Sequence, residues 1–223
     1  MIELLKKTNR FYETLSLGLL TFLCFSFSVF RLYFSEDPEV IPRLNWNLFL
    51  AFIPWFLTSF LMINSKYKKN KIVIGTLLFF WLLFFPNAPY ILTDLIHLEG
   101  KQSVQLWFDL ILILSFAWTG LLFGILSLMD IEKLLNQVMS KKRVNFIIVI
   151  LLFIGSFGVY LGRFLRWNSW DIISNPFGLI SDIGLRIINP FEFAKTWGMT
   201  IFMGLFLNMV YWSLKIIQHK NNN

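Results

Sequence analysis

An all-α integral membrane bundle of six transmembrane helices is the fold the sequence predicts, with the third helix broken and a short interfacial helix in the last outer loop. Three observations carry this. Apolar residues make up 57% of the 223-residue chain and charged residues only 15%, a balance outside the soluble globular range. Apolar runs recur at 15–34, 46–63, 72–98, 106–129, 144–165 and 197–217, most of them reaching the ~20 residues that a helix needs to cross ~30 Å of hydrocarbon. Basic residues collect at alternate ends of these runs, so the net charge of +7 marks topology and not a nucleic-acid footprint.

The first run follows Lys6, Lys7 and Arg10, but it is too long for a signal peptide and lacks a small-residue cleavage site, so it is expected to stay as an anchor. The second, fourth, fifth and sixth are plain spans, and residues 1–223 are read as one multi-pass domain. The third differs. From Ile72 it runs uninterrupted for fourteen residues to Phe85, about 21 Å at ~1.5 Å per residue, and then meets Pro86-Asn87-Ala88-Pro89. Both prolines remove a backbone donor, and Asn87 could cap a restarted helix with Pro89 in its first turn. Either a half-helix N-terminus opens there at membrane depth, a place to hold an anion, or the segment is a proline kink whose freed carbonyls are covered by side chains.

Within the loop at 172–193, Leu179, Ile180, Ile183 and Ile187 fall on one side of a helix that carries an Asp182/Arg186 pair at i, i+4, between Pro176 and Pro190. This is the expected interfacial helix.

Placing the N-terminus, 66–71, 130–143 and the C-terminus together gives that side thirteen Lys/Arg against four acids, and the other side seven against nine. The first side is then cytoplasmic, and both termini with it. Inside, eleven of thirteen bases are Lys; outside, five of seven are Arg, whose planar fork suits carboxylate or phosphate. The inner halves of the spans carry almost no ionisable residue by this reading. Cys24 is the only cysteine, which excludes an intramolecular disulfide; it reads as a small apolar residue.

Candidate chemistry gathers on the outer side. On an α-helix Tyr90, Asp94 and His97 would share a face at i, i+4 and i+7, and Asp94 with His97 could act as an acid–base pair. Asp109, in the opening turns of the fourth span, is costly in lipid and needs an Arg, a His or a cation; the short connection from the third span lets it approach Asp94 and His97. These three could hold a divalent cation as a metal site. The fifth span ends in Tyr160, Arg163, Arg166 and Trp167, followed by Asp171, where the two arginines could grip an anion with Asn87, Tyr90 and Asp171 as further ligand contacts. An ordinary interfacial belt of Trp, Tyr and Arg accounts for the same residues. Glycine-rich phosphate loops, a Ser-His-Asp arrangement and internal repeats are absent from the sequence.

The run Pro86-Asn87-Ala88-Pro89-Tyr90-Ile91-Leu92-Thr93-Asp94-Leu95-Ile96-His97-Leu98, with Trp107-Phe108-Asp109 and the block from Gly162 to Asp171, resembles the bacterial domain of unknown function 1361 family. That resemblance implies a multi-pass protein of the bacterial plasma membrane and no assigned chemistry.

Three functions follow as expectations. One is binding, with or without transformation, of an anionic amphiphile such as a lipid-linked phosphate. Another is a small transporter using the broken third helix and Asp109. The third is a structural or accessory subunit of a membrane complex, its charges closed into salt bridges and its partners the bilayer and another membrane protein. An open outer pocket, a polar route across the membrane, or sealed pairs would distinguish them.

Overall fold

The computed structural model describes residues 10–33, 40–64, 70–98 and 106–221. It is helical, without strands among the described residues, and six helices are long and apolar enough to cross a membrane. Two compact units emerge, Met1–Leu134 and Leu135–Asn223.

In the first unit, α1 (Phe11–Tyr33), α2 (Val40–Ile63) and α3 (Lys71–Phe84) are followed by a short α4 (Asn87–Tyr90), a 3-10 segment (Ile91–Leu98) and α5 (Leu106–Leu135). Several helices outrun their apolar stretches. α2 starts six residues before Trp46, with Pro42 in its first turn, where a missing donor costs nothing. α5 continues through Asp130, Glu132 and Lys133. Asn70 caps α3, its side chain accepting from the N–H groups of Ile72 and Val73 at 3.0 and 3.4 Å.

The Pro86–Pro89 segment turns without opening an extended gap, for Pro86 keeps right-handed helical dihedrals (φ −58°, ψ −25°). Ala88 N–H donates to the Phe85 carbonyl at 3.0 Å, one residue short of its α-helical partner. The Phe84 carbonyl left over receives Asn87 Nδ2 at 2.9 Å. Asn87 thus covers a carbonyl freed by the turn, the arrangement of a side-chain-satisfied kink.

The kink seats on α5 through two glycines one turn apart. A Cβ at Gly124 would lie 2.7 Å from Ala88 Cβ, and one at Gly120 3.1 Å from the Ala88 carbonyl oxygen. Only the lack of side chains lets the backbones approach so closely. Above this contact Trp81, fully buried, stacks on Phe85 (4.5 Å between centroids) and donates Nε1–H to Ser127 Oγ at 2.9 Å. The core at mid-depth is apolar: Leu17 and Cys24 of α1, Leu48 and Ala51 of α2, Ala88 and Ile91, and Ile113, Phe116 and Ala117 of α5.

In the second unit, α6 (Lys141–Leu165) packs along α9 (Ala194–Asn221), with the Phe153 ring lying where a Gly204 side chain would stand and Phe157 against Trp197. Between them come α7 (Asp171–Ser174) and α8 (Pro176–Ile188). The side chain of Asn175 accepts from Gly178 N–H at 3.1 Å and Pro176 opens α8, so the helix expected in this loop forms between an Asn cap and the residue before Pro190.

Candidate functional site

Asp109 needed a counter-charge, and α1 supplies it. Arg31 donates from Nε to Oδ1 at 2.5 Å and from Nη2 to Oδ2 at 3.1 Å, a two-pronged pair with both residues buried. At the same end Ser28 Oγ donates to Asn45 Oδ1 at 3.3 Å. Asn47 Nδ2 lies 3.5 Å from Asp94 Oδ2. Asp94 is therefore met by α2 and Asp109 by α1.

The 3-10 backbone from Ile91 to Leu98 alters the face expected of an α-helix. With ~3 residues per turn, positions 94 and 97 stay in register. The Tyr90 carbonyl accepts from Thr93 Oγ1 at 2.6 Å. The side chain of His97 lies outside the described residues. Among the described residues no three His, Cys, Asp or Glu side chains gather as a metal site would require.

At the other end of α1 lies a network that the sequence reading missed. Arg10 donates Nη1–H to Asp130 Oδ2 at 2.6 Å, and its Nη2 reaches Glu13 Oε1 at 2.6 Å and Ser59 Oγ at 2.7 Å. Trp55 Nε1–H donates to the same Glu13 oxygen at 2.6 Å, and the Arg10 guanidinium lies 5.6 Å from the Trp55 ring centre. Lys133, mostly exposed, stands 3.4 Å from Asp130 Oδ1. Two cations thus face two carboxylates. Arg10 and Asp130, counted above only as topology-setting charges, are 4% and 1% exposed. The expectation of nearly uncharged inner halves is corrected here: Glu13 and Asp130 belong to α1 and α5 themselves.

A signal for both pairs was present in the numbering. Arg10 and Arg31 are twenty-one residues apart, and so are Asp109 and Asp130. At ~1.5 Å per residue each interval is about 31 Å, close to the ~30 Å hydrocarbon thickness, so an antiparallel pair of helices can match charges at both boundaries at once. Midway, Cys24 Sγ lies 3.4 Å from Thr119 Oγ1, in the same antiparallel register. A groove of about 340 Å³ beside it is lined by Leu20, Leu23 and Cys24 of α1 and by Ile111, Leu114 and Trp118 of α5. It is apolar and contains none of the predicted site residues.

The remaining candidates belong to the second unit. Arg163 sits in the last turn of α6, and Arg166, exposed, ends that helix in the left-handed conformation (φ 62°). Asp171 accepts from Asn168 N–H at 2.7 Å and from Ser174 Oγ at 2.8 Å. The Asn168 N–H above all, aided by the Ser174 hydroxyl and the Asn168 amide, holds its carboxyl below the usual range against the opposing effect of burial. It therefore works as an ionised turn cap. Asp182 accepts from Trp167 Nε1 at 2.8 Å and pairs with Arg186 at 3.2 Å.

The family model described as protein of unknown function (DUF1361) matches residues 46–210. The chain belongs to that family. The matched segment carries Ser59, Asp94, Asp109 and Asp130, whereas Arg10, just before α1, and Glu13 and Arg31, on α1, precede it. No curated protein and no solved structure matches the chain. Family membership, with the six helices long and apolar enough to cross, makes this a multi-pass membrane protein in contact with the bilayer.

Proposed function

We propose that this protein is a structural or accessory component of the membrane, whose intramembrane charges close its own bundle and do not hold a ligand. The observation that carries this is the double pairing of α1 with α5, Arg31 with Asp109 at one end and Arg10 with Asp130 and Glu13 at the other. Burying Arg10, Arg31, Asp109 and Asp130 in a bilayer, with Glu13 part-buried beside them, is tolerable when the charges are paired and further hydrogen-bonded. Leu17, Ile113, Phe116 and Ala117 fill the space between the two polar bands, which argues against a polar pathway and hence against the transporter reading. Binding of an anionic amphiphile would instead require Arg163 and Arg166 to present their donors to a headgroup.

Native mass spectrometry of the gently purified protein tests the choice. Wild type, Arg163→Ala and Asp94→Ala are expected to give the same spectra. An anionic lipid retained by the wild type and lost from Arg163→Ala would overturn the structural reading in favour of lipid binding.

A further inference from the structure

The helix between the fifth and sixth spans is held by one edge and bare along the other. Its held edge carries Asp182 and Arg186: Asp182 receives Trp167 from the end of α6, the Arg186 carbonyl accepts Trp197 Nε1–H from α9 at 3.0 Å, and the Arg186 guanidinium lies 4.8 Å from the Phe193 ring centre. These bonds tie α8 to the ends of both spans, so it stands where those spans leave the hydrocarbon.

The opposite edge is apolar and uncovered. Phe177, Ile180, Ile187 and Ile188 recur along α8 at the helical period, and Ile173 before it and Phe191 after it are bare as well, with Phe177 85% and Phe191 95% exposed. Gly184 falls on the same edge, and a Cβ built there would meet nothing within 4 Å. From Arg163 to Lys195 the segment carries four bases and three acids, too even a balance for attraction to charged headgroups. The exposed apolar side chains of α9, such as Phe202 and Leu205, bring lipid-facing surface up to this loop.

We propose that α8 is a lipid-inserted anchor, its Phe177–Ile188 edge lying among the upper acyl chains of the adjoining leaflet, driven by apolar burial and indifferent to headgroup charge. An edge of this kind left in water would be an unusually long apolar strip, and the bilayer covers it without any other molecule.

The test uses full-length protein carrying Cys24→Ser, with single cysteines at Ile180, Ile187 or Glu192 labelled by an environment-sensitive fluorophore. The protein is reconstituted into phosphatidylcholine liposomes with or without phosphatidylglycerol. Labels at 180 and 187 are expected to be quenched by lipids brominated on the acyl chain and protected from aqueous iodide, equally in both liposomes, while the 192 label shows the reverse. Adding Gly184→Leu, into open space, is expected to shift the 187 emission further to the blue. Iodide quenching at 180 and 187, bromolipid quenching only with the anionic lipid, or shielding from both quenchers, as a second copy or another protein would give, each overturns the proposal.

Discussion

Replacing Arg10 by leucine is expected to destabilise the protein by about 3–5 kcal/mol, the cost of leaving buried charge without its partner. The geometry ranks the members of the network. Among the described residues Arg10 is the cation that touches both Asp130 and Glu13 closely, at 2.6 Å each, so its loss strands two carboxylates together. Asp130→Asn removes one carboxylate but leaves Arg10 bonded to Glu13 and Ser59, and it should cost clearly less. Lys133, with its side chain 61% exposed and 3.4 Å from Asp130, is worth about 0–1 kcal/mol by the standard of exposed pairs. Thermal unfolding in a mild detergent checks the order Arg10→Leu, then Asp130→Asn, then Lys133→Ala. An Arg10→Leu variant that melts with Lys133→Ala would show that the buried network contributes nothing.

The second large effect is expected at Gly124. Gly→Ala in a helix normally stabilises by about 0.5–1 kcal/mol because alanine restricts the unfolded chain, and Gly75, with open space around its position, should follow that rule. At Gly124 the new methyl would stand 2.7 Å from Ala88 Cβ, in a fully buried alanine between two prolines that has no rotamer to adjust. Either α5 or the kink must move, at about 1–3 kcal/mol for overpacking. Gly120→Ala should fall between them, since its shortest contact, 2.8 Å, is to the mobile end of Ile91, with the Ala88 carbonyl at 3.1 Å. Melting temperatures of the three variants should therefore diverge in sign. Equal behaviour of Gly124→Ala and Gly75→Ala would mean that the kink does not rest on α5.

The spans were legible in the sequence because runs of about twenty apolar residues have few other uses. Their ends were not. Hydropathy stops at Met129, but the helix continues through Asp130 because that carboxylate finds Arg10 and so need not leave the bundle. The prolines announced the interruption in the third span. They could not announce that Asn87 would cover the Phe84 carbonyl, or that the chain would continue from Ile91 to Leu98 as a 3-10 segment. That Asp109 must be paired followed from the price of a carboxylate in lipid. That its partner is Arg31 required two helices to be seen in antiparallel register, for which the matched twenty-one-residue intervals were the available clue. Charge counting hid Arg10 and Asp130, because it assigns each charged residue near a span end to a side of the membrane and not to a partner.

The central claim, that buried charges pin α1 to α5, is tested most directly by a double-mutant cycle on Arg31→Leu and Asp109→Leu, read as melting temperature in mild detergent. Each single variant leaves a buried charge behind, whereas the double variant leaves none and replaces the pair with apolar side chains, so the double is predicted to melt above either single. If Asp109 instead serves a ligand or cation, restoring charge balance with Arg31→Leu gives no benefit. A double variant that melts no higher than Asp109→Leu alone would contradict the account.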